Sequence, residues 1–86
     1  MARIVATEKV VDLEGLLDFV RPRHQWILAT ARTDGRPQMS PVTGGVNADG
    51  QLVVSTYPQR DKVHNLRRNP QVTVCVMSDH FGGAWV

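Results

Sequence analysis

Leu13, Leu16, Leu17 and Val20 recur at helical spacing in "DLEGLLDFVRP", which predicts a short amphipathic helix over 12–21. Asp12 stands where a cap is needed and Pro22 prevents continuation. From there the pattern shortens to period two. "QWILATAR" reads as a first strand, and Asp34-Gly35 after it predicts a two-residue hairpin, with both central positions at positive φ. The returning strand, "RPQMSPVTGGV", carries Pro37 and Pro41, so it must lie at an edge or contain a bulge. "NADGQ" supplies a second turn and "QLVVSTY" a third strand. "DKVHNLRR" is a helix of barely two turns that docks through Val63 and Leu66, and Asn69-Pro70 ends it. "QVTVCVMS" is a fourth strand, and "GGAWV" opens a fifth.

Two strands carry no charge on either face. Val72, Val74 and Val76 alternate with Thr73, Cys75 and Met77, and Trp26 and Leu28 alternate with Ile27, Ala29 and Ala31. Both faces should therefore be covered. One can fill a small barrel; the other needs a partner surface, and a homodimer is the economical one. The chain also stops at Val86 with its last strand unpaired, so either it is a fragment or another chain completes the sheet.

Composition narrows the class. With 86 residues, 42% hydrophobic and 21% charged, the chain is at most one ordinary globular domain. The single Cys75 forms no internal disulfide and fits a reducing compartment. "MARIVATEKV" has no apolar core with a cleavage site, and no apolar run reaches membrane-spanning length. A cytoplasmic location is expected. Net charge is +2, too small to argue for nucleic acid, yet four of the ten basic residues crowd into "QRDKVHNLRR".

That cluster has two readings. A helix start exposes unpaired N–H groups and a partial positive charge, which suits phosphate. Arg60 could grip such an anion bidentately and Lys62 add a point charge, with the Ser55 and Thr56 hydroxyls on the same rim. The plain alternative is a solvated basic helix, and the two readings stand about even. Arg67 and Arg68 favour the helix C-terminus whether or not a ligand is present. His64 and Asn65 stay ambiguous. In "RPQMSPV", prolines free backbone groups that could read the edge of a flat heterocycle; a proline-protected edge strand is the slightly preferred alternative.

Other chemistry is thin. His24, His64 and His80 share no metal spacing with Cys75, so no zinc site is expected. There is no nucleophile elbow, and the paired glycines lack the Lys-Ser/Thr of a phosphate loop. No catalytic acid or base is assigned. A phosphate grip without acid–base machinery suits a protein whose cofactor carries the reaction. A nucleic-acid binder ranks last, since no aromatic platform or helix-turn-helix accompanies the basic residues.

"ILATARTDGRPQMSPV" followed by "LVVSTYPQRDKVHNLRRNPQVTVCV" resembles the pyridoxamine 5'-phosphate oxidase-like flavin and deazaflavin reductases, over about residues 13–86. The resemblance implies a mainly β fold with short helices, an FMN-binding split β-barrel, as a single domain over 1–86. Its N-terminal helix would span 12–21, and its strands and cofactor-phosphate helix 25–86. It implies a homodimer with the cofactor at the subunit interface. Arg60 and Lys62 would hold the cofactor phosphate with Ser55 and Thr56 assisting; Gln38, Met39, Ser40 and Pro41 would line the ring. Trp85 would reach it from the neighbouring subunit. "DGRPQMSPV" resembles more the branch that uses the deazaflavin coenzyme F420, with FMN as the alternative. The implied activity is hydride transfer between that cofactor and a small organic substrate; the alternative is a non-enzymatic flavin- or haem-binding module. Family members continue through further strands and a C-terminal helix, so the barrel is expected to be truncated.

Overall fold

The computed structural model describes residues 11–86. The first ten residues, where no leader is read, lie outside that range. Two helices and four strands follow in the order α1 (Leu13–Val20), β1 (Gln25–Ala31), β2 (Pro37–Val46), β3 (Leu52–Ser55), α2 (Asp61–Arg68) and β4 (Val72–Val76). The strands form one antiparallel sheet ordered β3-β2-β1-β4. The mainly β architecture with short helices is the one the periodicity predicts.

α1 starts as expected: Asp12 is extended and its carboxylate accepts the Gly15 N–H at 2.8 Å, satisfying a donor of the open first turn. Its Leu17 and Val20 are buried, and Val20 packs with Trp26, Leu28, Val42 and Val76 to form the core. The Trp26 ring packs against Gly44, where any Cβ would come within 2.2 Å of it. Its indole N–H donates to the Arg23 carbonyl at 2.7 Å.

The first Asp-Gly turn departs from the two-residue loop expected, and the second has the same form. The Arg32 N–H donates to Arg36 O and the Gly35 N–H to Arg32 O, so Thr33, Asp34 and Gly35 form a three-residue loop. Residues 48–50 repeat it: Asn47 N–H donates to Gln51 O, and Gly50 N–H to Asn47 O. Only Gly35 (φ 87°) and Gly50 (φ 77°) adopt positive φ in these loops. The reason is steric. A two-residue turn would force Asp34 to positive φ, whereas one more residue confines that cost to glycine. Asp34 and Asn47 also hold their own turns, accepting the N–H of Arg36 and of Asp49 and Gln51. The Arg36 backbone N–H, then its guanidinium, hold the Asp34 carboxyl below the usual carboxylate value.

The prolines of β2 sit on a half-edge. Gly44 N–H donates to His24 O and Arg32 N–H to Arg36 O, which fixes the ladder phase: even-numbered β2 residues exchange bonds with β1. Odd-numbered ones face β3, which ends at Ser55 opposite Thr43. Pro37 and Pro41 therefore lack N–H groups only where no strand pairs with them. The edge expectation holds, although β2 is central in the sheet order.

At the far side, Val76 and Val86 exchange both backbone bonds, at 2.7 and 2.9 Å, and Met77 bridges to Trp85. The fifth strand that "GGAWV" announces thus begins to pair beside β4. Trp26, Leu28, Thr30, Val42 and Val76 share the face that both helices cover. Met39, Pro41, Val53, Thr73 and Met77 lie on the opposite face, exposed, with Ile27, Ala29 and Cys75 half-buried among them. The chain covers only one of the two faces that were expected to be covered.

Candidate functional site

α2 begins where β3 hands over to a turn through Tyr57 and Pro58. Arg60 occupies its N-cap position with extended backbone, and no side chain caps the first N–H groups. The Arg60 guanidinium is exposed, 5.7 Å from the centroid of the Tyr57 ring, a weak cation–π contact in water. Lys62, in the first turn, is half-buried. Ion pairs among the described residues join Arg21 to Asp18 and Arg36 to Asp34, leaving Arg60 and Lys62 without a carboxylate partner. Asp61 lies between them in sequence and complements the helix dipole. Ser55, opposite Thr43, ends the preceding strand and Thr56 follows it, both exposed.

Strand alternation divides the four residues expected around a ring. Gln38 and Ser40 lie on the helix-covered face, half-buried, while Met39 and Pro41 lie on the open face, with Met39 63% exposed. The Ser40 hydroxyl is buried without a hydrogen-bond partner. The unpaired groups on the edge are those of the odd residues: the Met39 N–H and C=O, and the Pro37 and Pro41 carbonyls. This is the fixed donor–acceptor row anticipated from the prolines. Trp85, opposite Met77, is two-thirds exposed on the open face.

A groove of about 290 Å³ joins the strand to the helix, lined by Arg32, Thr33, Gln38, Asp61, His64, Asn65 and Arg68. It brings Gln38 beside the first residue of α2. The helix docks through a residue that sequence reasoning left ambiguous. Asn65 is buried, its Nδ2 donating to the Thr30 hydroxyl at 3.1 Å, and Val63 and Leu66 are only half-buried. Thr30 is the last inward residue of β1 and is itself buried. A hydroxyl at that covered position needs a polar partner from the element above, and that was the available signal. Arg68 anchors the helix end on the Ala31 carbonyl and Asn65 Oδ1, a structural role; Arg67 is exposed.

Among the described residues no three His, Cys, Asp or Glu side chains cluster as metal ligands, and no helix is long and apolar enough to cross a membrane. The model of the pyridoxamine 5'-phosphate oxidase family matches residues 13–86. Among solved structures, a conserved hypothetical protein from Mycobacterium tuberculosis superposes with a TM-score of 0.71 at 30% identity. That match covers 84% of this chain and 45% of the other, so the chain spans less than half of that protein's length. No curated protein matches the chain significantly. A family match running from the start of α1 to Val86, together with the shared fold, means that the chain belongs to the pyridoxamine 5'-phosphate oxidase family.

Proposed function

We propose that the chain is an oxidoreductase subunit that binds a phosphate-bearing flavin-type cofactor, coenzyme F420 or else FMN, and acts on a small organic substrate. The observation that carries the reading is the start of α2: an uncapped helix terminus flanked by Arg60 and Lys62, neither paired to a carboxylate among the described residues. Such a terminus offers backbone donors and charge together, which is what a phosphate monoester needs. The fit extends to the ring. The open edge at Met39 presents one donor between three acceptors, a pattern able to pair with the polar rim of a tricyclic heterocycle.

When bound, such a group supplies hydride-transfer chemistry. The chain's own part is to hold the phosphate through Arg60, Lys62, Ser55 and Thr56, and to orient the ring along the open edge of β2, between Met39 and Pro41 on one side and Gln38 and Ser40 on the other. The groove is at the small end of ligand pockets, which span ~300–1000 Å³, and this suits a site whose remaining walls come from a second copy. The exposed apolar face carrying Met39 and Trp85 is the surface on which a homodimer would form.

Fluorescence titration of oxidised coenzyme F420 and of FMN tests the proposal. Binding in the micromolar range is expected, and Arg60→Ala combined with Lys62→Ala should weaken it at least ~30-fold, as loss of charge-assisted bonds requires. Millimolar binding of both, unchanged in the double variant, would sink the reading. Binding without turnover under any reductant would instead indicate a non-enzymatic flavin module.

A further inference from the structure

Four side chains link the far end of α2 to the strand edge, and every bond in the row has a defined direction. Arg68 donates to Asn65 Oδ1 at 3.2 Å, Asn65 Nδ2 donates to Thr30 Oγ1 at 3.1 Å, and Thr30 Oγ1 donates to Gln38 Oε1 at 3.4 Å. A guanidinium can only donate. With Asn65 Oδ1 turned to it, the Asn65 amide nitrogen must face Thr30. The Thr30 oxygen then accepts the Asn65 N–H and donates its own O–H to Gln38 Oε1. Asn65 and Thr30 are both buried, so neither can reverse by turning to water.

We infer that this relay holds Gln38 with its Nε2 amide group directed into the groove as a fixed donor. Gln38 is thereby a specificity-determining residue for a ligand whose edge presents a carbonyl-type acceptor. Thr30 and Asn65 are positioning residues that act through it. The groove agrees in polarity, since Arg32, Arg68 and Thr33 add donors while Asp61 is its one carboxylate. The inference rests on the cofactor reading above and deepens it: the α2 start selects the phosphate, and Gln38 selects the acceptor edge of the ring.

The test is a set of five variants of the chain titrated with FMN and coenzyme F420, each checked for folding by urea denaturation. Gln38→Ala and Thr30→Val should each weaken binding roughly three- to tenfold, the loss of one neutral hydrogen bond. Their combination should weaken it no further, because both break one row. Thr30→Ser, which keeps the hydroxyl, should bind like the unaltered protein. Gln38→Glu, which replaces the donor by an acceptor of the same shape, should bind worse than Gln38→Ala. Additive losses in the double variant, or tight binding by Gln38→Glu, would overturn the inference while leaving the cofactor reading intact. If the unaltered protein binds neither cofactor, both fall. Thr30→Val lowering the urea midpoint with ligand affinity unchanged would reduce the row to scaffolding, which also overturns it.

Discussion

On the helix-covered side of the sheet Trp26 retains 1% of its surface; on the opposite side, on the adjacent strand, Met39 retains 63%. Both faces are built by the same strands and both are largely uncharged, with Val53, Ile27, Cys75 and Met77 continuing the apolar character of the open side. What differs is the second layer. α1 and α2 lie over one face only, so the same alternation yields a dense core on one side and an unfilled surface on the other. An apolar strand face records a capacity to be covered and leaves open which chain covers it. The folding energy of one copy therefore comes from the Trp26 side, and the Met39 side contributes little to it.

Substitutions of like size on the two faces sharpen this contrast. Trp26→Ala should cost about 3–5 kcal/mol, read from chemical denaturation, and leave so small a domain largely unfolded. Leu28→Ala should cost about 2–5 kcal/mol, whereas Val53→Ala should stay within about 0.5 kcal/mol. Equal losses on the two faces would mean that the open face is buried in the free protein. Gly44→Ala should cost about 1–3 kcal/mol, because a methyl group at that position drives into the Trp26 ring. Met39→Lys should barely change the urea midpoint at low concentration. It should nonetheless shift the sedimentation profile toward a single copy, and an unshifted profile would remove the open face from the assembly. The smallest effect lies away from both faces, in the first hairpin. The Asp34 pKa is lowered on folding, so its contribution is present above the unfolded value of 3.8 and lost as pH falls through the lower folded value. Asp34→Asn should remove only a slight dip in stability below about pH 4, small because the group is exposed.

Much of the frame was legible because its signals are local. The cap at Asp12, the stop before Pro22 and the valine alternation of β4 depend on neighbours within a turn or a strand. So does the edge reading of Pro37 and Pro41, which holds for the unpaired half of β2 although the strand is central in the sheet. Loop length was misread at Asp34-Gly35, since "TDG" serves two- and three-residue turns alike and only the φ of Asp34 separates them. The docking of α2 was missed for a different reason. Asn65 is buried because Thr30, 35 residues earlier, ends beneath it, and no local pattern carries that information. At the site, the residue types were readable but their division was not stated. Alternation sends Gln38 to the groove and Met39 to the edge, so one stretch serves two surfaces.

The strand order sets a schedule for assembly. β1, β2 and β3 are joined by two short hairpins and can zip on contacts close in sequence, whereas β4 meets β1 only after 40 intervening residues have been placed. During synthesis one flank of β1 therefore stays naked until Val76 has emerged, and for that interval the nascent chain is most open to wrong pairing with another copy of itself.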